Sequence, residues 1–159
     1  SSTCWPTSSA RTVACWLSVP QRPNGTLDEE REWTVREIGS WMAVNGEAIY
    51  GTRPWGRFGE GPTAFAASTH GEREERAFSG GDFRFTAKGD AVYAIAMGRP
   101  KGGRWLIRSL AGETVQLASI LGTEHTDWQD TPAGLWVEAP AALPCDHAWV
   151  IKVIGVRTK

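Results

Sequence analysis

The stretch FRFTAKGDAVYAIAM, residues 83–97, decides the fold. Its first five residues, Phe83 to Ala87, read as a strand, and Lys88-Gly89-Asp90 is a hairpin turn with glycine at its centre. From Val92 to Met97 the chain alternates with period two. Tyr93, Ile95 and Met97 lie on one face and Val92, Ala94 and Ala96 on the other. Pro100 to Gly103 turns the chain again. Trp105–Leu110, Val115–Leu121, Gly134–Ala139 and His147–Ile154 continue as short strands at close spacing. Strands of this length, separated by turn residues, predict an antiparallel β-sandwich over residues 83–159.

Upstream the period changes. Thr26 and Glu29 fit a capping box, and Asp28, Glu29 and Glu30 put negative charge at the positive end of a helix dipole. Val35, Ile38, Trp41 and Met42 then recur at helical spacing, and Asn45-Gly46 reads as a left-handed stop. Glu30, Arg36 and Glu37 lie off the apolar stripe, so another surface must cover it; the exposed helix face predicts self-association as a homo-oligomer. Residues 51–63, GTRPWGRFGEGPT, read as a Gly/Pro-rich connector, and GEREER at 71–76 as part of a solvated loop reaching to 82. Residues 1–16, SSTCWPTSSARTVACW, show neither helical period nor sustained alternation. The expectation is a mainly β protein with one helix first and the sandwich second.

Composition narrows the function. Over 159 residues the net charge is −1, which provides no basic surface for nucleic acid or an anionic membrane. The apolar runs are far shorter than the roughly 20 residues a bilayer needs. Cys4, Cys15 and Cys145 lack CxxC spacing, and His70, His125 and His147 are scattered, so neither a metal site nor a cofactor is expected. Nine tryptophans are the outlier. Each can fill core or stack on the apolar face of a sugar; core filling is the commoner fate.

Residues 18–55 carry a resemblance. SVPQRPNGTLDEE (18–30) and REIGSWMAVNGEAIYGTRPW (36–55) resemble the α-L-fucosidases of glycoside hydrolase family 29. There a last barrel strand of the form NGxLLLNxP leads through PxRxDGTxDE into a helix ending WMxVNGEAIYGTRPW. The similarity runs on through Phe58–Pro62, Asp82–Asp90, Tyr93–Ala96 and Pro144–Ala148, and so covers residues 17–156. It implies that residues 17–50 are the final strand, turn and helix of a TIM-type barrel, that 51–82 connect, and that the sandwich is the family's C-terminal domain. Upstream the likeness stops at residues 1–16. Codons exist that spell Ser2–Leu17 in one frame and VDMLADVVSKNGCLL, the family's segment, in the next. Residues 1–16 are therefore expected to be a frame-shifted remnant, with the last barrel strand damaged.

The resemblance implies a retaining hydrolase of α-L-fucosides, acting on a fucosylated glycan or small fucoside. Retention needs two carboxyl groups about 5–5.5 Å apart. The family's nucleophile lies upstream of the matched region, so no catalytic residue carries over. Glu47 and Glu60 are the carboxylates nearest the motif, with Asp28 and Asp82 farther away. Glu47 stands at a helix C-terminus, whose dipole pushes its pKa upward. Glu60 sits among glycines near Trp55 and Phe58. For both, the plainer role is a turn-stabilising acceptor. Arg53 and Trp55 are either the joint between barrel and sandwich or a sugar contact. Two further readings remain open: a non-catalytic module that binds carbohydrate or docks on a barrel, and a minimal glycosidase with a rebuilt carboxylate pair.

Overall fold

The computed structural model describes residues 17–63 and 77–156. The readings of residues 1–16 and of 71–76 lie outside them. Helix α1 spans Glu29–Asn45 and is followed by a 3₁₀ turn, Gly46–Ala48. Eight strands follow: β1 Arg53–Glu60, β2 Phe83–Lys88, β3 Ala91–Ala96, β4 Arg104–Ile107, β5 Leu117–Ile120, β6 Trp128–Thr131, β7 Gly134–Glu138 and β8 Trp149–Ile154. Two antiparallel sheets result, with strand orders β1-β2-β3-β8-β5 and β4-β7-β6.

The alternation of residues 83–97 survives with a difference: both of its faces are buried. Val92, Ala94 and Ala96 join Phe83, Phe85 and Ile151 in the core facing the smaller sheet, where Trp105, Ile107, Leu135 and Val137 meet them. Tyr93, Ile95 and Met97 turn the other way and pack with Ala48, Val150 and the partly buried Trp41 and Ile49. The five-stranded sheet is thus the middle of three layers, with α1 on one side and the three-stranded sheet on the other.

The helix is capped two residues later than the sequence suggests. Asp28 is the N-cap and accepts from Arg31 N at 2.9 Å, while Thr26 N and Oγ1 donate to Asn24 Oδ1. Aspartate in extended conformation is a strong cap in its own right. Gly46 is right-handed, at φ −58° and ψ −25°, so the chain tightens into the 3₁₀ turn; the left-handed residue is Gly51, at φ 70°. Residues 17–28 contain no strand, since no neighbouring strand among the described residues offers a ladder to them. Residues 53–60 are not connector but the edge strand β1. Proline is tolerated there because an edge leaves one side of the ladder unclaimed. β6 carries no strand signal in the sequence, because Trp128-Gln129-Asp130-Thr131 holds one apolar residue and shows no alternation. Residues 108–110 leave the strand for a 3₁₀ turn.

Candidate functional site

Glu47 lies in the 3₁₀ turn after α1. Its Oε1 accepts from Tyr93 Oη at 2.7 Å and from Lys152 Nζ at 2.5 Å. Tyr93 and Lys152 are register partners on β3 and β8, so the two donors stand side by side. Lys152, then Tyr93, hold the Glu47 carboxyl below its ordinary range. Burial, then the facing carboxylate, push the Tyr93 phenol up. The helix dipole was expected to raise Glu47; two direct donors outweigh the half charge of a helix end. Glu47 is an ionised anchor between helix and sheet.

Glu60, at the end of β1, is occupied differently. Oε1 accepts from Arg108 N at 2.9 Å and Oε2 from Ser109 N at 2.5 Å, so the carboxylate caps the turn Arg108–Leu110 and ties β1 to the smaller sheet. Glu60 pairs with Phe83, whose side chain faces that sheet, whereas Glu47 sits with Tyr93 on the helix side. The five-stranded sheet lies between the two carboxylates. They do not flank a common space of the kind that retention requires. Asp28 caps α1, and Asp82 is fully buried and accepts from Thr63 and Ser79.

Trp55 is a core residue: it is 8% exposed and meets Phe85 edge-on at 5.2 Å. Its remaining surface lines a groove of about 560 Å³, together with Arg57, Ser109, Glu113, Thr114 and Gly155. Arg53 is exposed and forms no ion pair with a described residue. No group of three or more histidine, cysteine, aspartate or glutamate side chains that could hold a metal occurs among the described residues, and no helix there is long and apolar enough to cross a membrane.

The family described as alpha-L-fucosidase C-terminal domain matches residues 79–154. An α-L-fucosidase of Branchiostoma floridae is 29% identical over 157 residues, covering 92% of this chain and 31% of the relative. The tissue α-L-fucosidase of Bos taurus is 31% identical over 148 residues, covering 89% and 28%. Among solved structures, isoenzyme 1 from Paenibacillus thiaminolyticus superposes with a TM-score of 0.65 at 24% identity, covering 92% of this chain and 32% of that one. Residues 79–154 are similar to the C-terminal domain of the α-L-fucosidases.

The chain spans about 30% of the length of such curated relatives. The family match opens at Ser79, where the buried Asp82 gathers its donors, and closes at Ile154, the end of β8. β1 lies outside that match, yet it completes the five-stranded sheet. No two of Trp105, Trp136 and Trp149 share an outer face. Trp105 and Trp149 meet inside the core at 5.9 Å, with their indole N–H groups donating to Gly98 O and Cys145 O. Trp136 stands on the outer face of the smaller sheet, under the Arg104 guanidinium at 4.3 Å. Sequence reasoning passed over Lys152, although a lysine inside WVIKVI signals an anion above the sheet. It also passed over Arg57 and Glu113, which no motif marks.

Proposed function

We propose that the chain is the bracing portion of an α-L-fucosidase: its sandwich holds the last helix of a catalytic barrel, and carboxylates outside the described residues cleave the fucoside. The observation that carries this reading is the two-sidedness of α1. One side is bonded to the sandwich: Trp41 Nε1 donates to Ala148 O at 2.9 Å, Asn45 Nδ2 to Cys145 Sγ at 3.4 Å, and His147 pairs with Glu37 at 3.0 Å. Off that side, Trp33 is 58% and Val35 40% exposed, one on each flank of the bonded stripe, and both give apolar area suited to a neighbouring surface. The names of the relatives support a fucosylated glycan or small fucoside as the substrate of the whole protein.

The test is hydrolysis of a chromogenic α-L-fucoside by this chain and by its Glu47→Gln and Glu60→Gln variants. We expect no turnover from any of the three, and turnover when the barrel portion of a related fucosidase is supplied and co-purifies with the chain. Turnover by the chain alone that either substitution abolishes overturns the bracing reading and favours a rebuilt carboxylate pair.

A further inference from the structure

We infer that the groove beside Trp55 is a binding site for a neutral polyhydroxylated ligand, a mono- or disaccharide. This inference stands apart from the bracing role and does not need it.

The groove is built by an irregularity in β1. Pro54 pairs with Thr86 and Gly59 with Arg84, so residues 55–58 of β1 face the single residue Phe85. The surplus chain arches away from β2 and makes one wall. The opposite wall is the tight run from Arg108 to Thr114, closed by Ala111 N to Arg108 O at 3.0 Å and Glu113 N to Leu110 O at 3.1 Å. Gly155, at φ 95°, completes the lining. Glu60 locks the walls to each other: it leaves the end of β1 and takes the amides of Arg108 and Ser109. A site whose walls are bonded together is formed before any ligand arrives, which lowers the entropic cost of binding.

Size and chemistry select the ligand class. The volume of about 560 Å³ falls within the roughly 300–1,000 Å³ usual for small-molecule sites. Arg57 supplies a fork of donors and Glu113 a pair of acceptors. Ser109 is 7% exposed, its amide is taken by Glu60, and its hydroxyl has no partner among the described residues. Thr114 adds a second hydroxyl, and the exposed margin of Trp55 an apolar patch. One cation and one anion in the same lining disfavour a charged ligand of either sign: a phosphate meets Glu113, an organic amine meets Arg57. A sugar satisfies both, because each hydroxyl donates to the carboxylate or accepts from the guanidinium, while a C–H edge meets the exposed margin of the indole.

The experiment is titration of the ¹⁵N-labelled chain with L-fucose, D-galactose and lactose, and separately with inorganic phosphate and choline, following the amides of Gly56, Gly112 and Gly155. We expect at least one neutral sugar to move these signals saturably. We expect Arg57→Ala and Glu113→Gln to weaken that sugar at least tenfold. Gly56→Leu should also block it, since a Cβ at Gly56 meets no atom within 4 Å and the added side chain occupies open space. Arg104→Ala, on the other sheet, should bind as the parent does. No saturable shift with any sugar up to about 50 mM, well above the millimolar range of weak binding, overturns the inference. So do saturation of these amides by phosphate or choline in preference to the sugars, and unchanged affinity in both Arg57→Ala and Glu113→Gln.

Discussion

Replacing Asp82 by alanine is expected to lower the melting midpoint more than any other single polar substitution in the domain. Its carboxylate is sealed from solvent and accepts four hydrogen bonds: from Thr63 N and Oγ1 at 2.9 Å each, and from Ser79 N and Oγ at 2.7 and 2.8 Å. Burial by itself raises the pKa of such a group; the donors on Ser79 and Thr63 overcome it and hold the carboxyl below its ordinary 3.8. With alanine the two hydroxyls can turn elsewhere, but the two backbone N–H groups lose their acceptor. At about 1–3 kcal/mol for each stranded donor, the central loss is about 4 kcal/mol. At about 2–4 °C per kcal/mol for a chain of this size, the midpoint falls by about 8–16 °C. Asparagine keeps one oxygen and turns an amide N–H toward the other donors, so about half that loss is expected. The pH dependence gives a second signature. A carboxylate with a depressed folded-state pKa contributes its full stability above its unfolded value and loses it as pH falls through the folded value. The gap between the parent and Asp82→Asn should therefore hold from neutral pH to about 4 and narrow below it. Near-UV circular dichroism melts across that range measure it. An Asp82→Ala midpoint within about 2 °C of the parent at neutral pH, or a gap that does not change with pH, refutes the reasoning.

Tyr93→Phe removes one donor from Glu47, so the Glu47 carboxyl should titrate closer to its ordinary 4.5 and the chain lose about 1 kcal/mol; NMR titration of that carboxyl and urea unfolding read the two effects. Trp105→Ala empties a fully buried site and should cost about 3–5 kcal/mol, whereas Trp136→Ala, on an outer face, should cost under about 1 kcal/mol; the pair of melts separates core from surface tryptophan. Trp33→Ser with Val35→Ser should abolish self-association of the isolated chain, and sedimentation that shows the parent strictly monomeric at about 100 μM removes that role for the helix face.

The local pattern determined a good deal. Alternation in residues 83–97 announced the hairpin β2–β3, and the 3.6-residue period of Val35, Ile38, Trp41 and Met42 announced α1, because both periods follow from backbone geometry within a few residues. The motif at residues 18–55 carried the resemblance to the α-L-fucosidases. It did not reveal that β3 is buried on both faces, since that depends on pairing Ala91–Ala96 with Trp149–Ile154, more than fifty residues away. Nor did composition distinguish the edge strand β1 from a loop: Pro54, Gly56 and Gly59 read as breakers until β2 supplies a ladder. Glu47 and Glu60 look alike in the sequence, two acids in glycine-rich surroundings. Tertiary structure alone put them on opposite sides of one sheet, because a side chain's partners are set by the chain that arrives from elsewhere, and a carboxylate's chemistry is set by those partners.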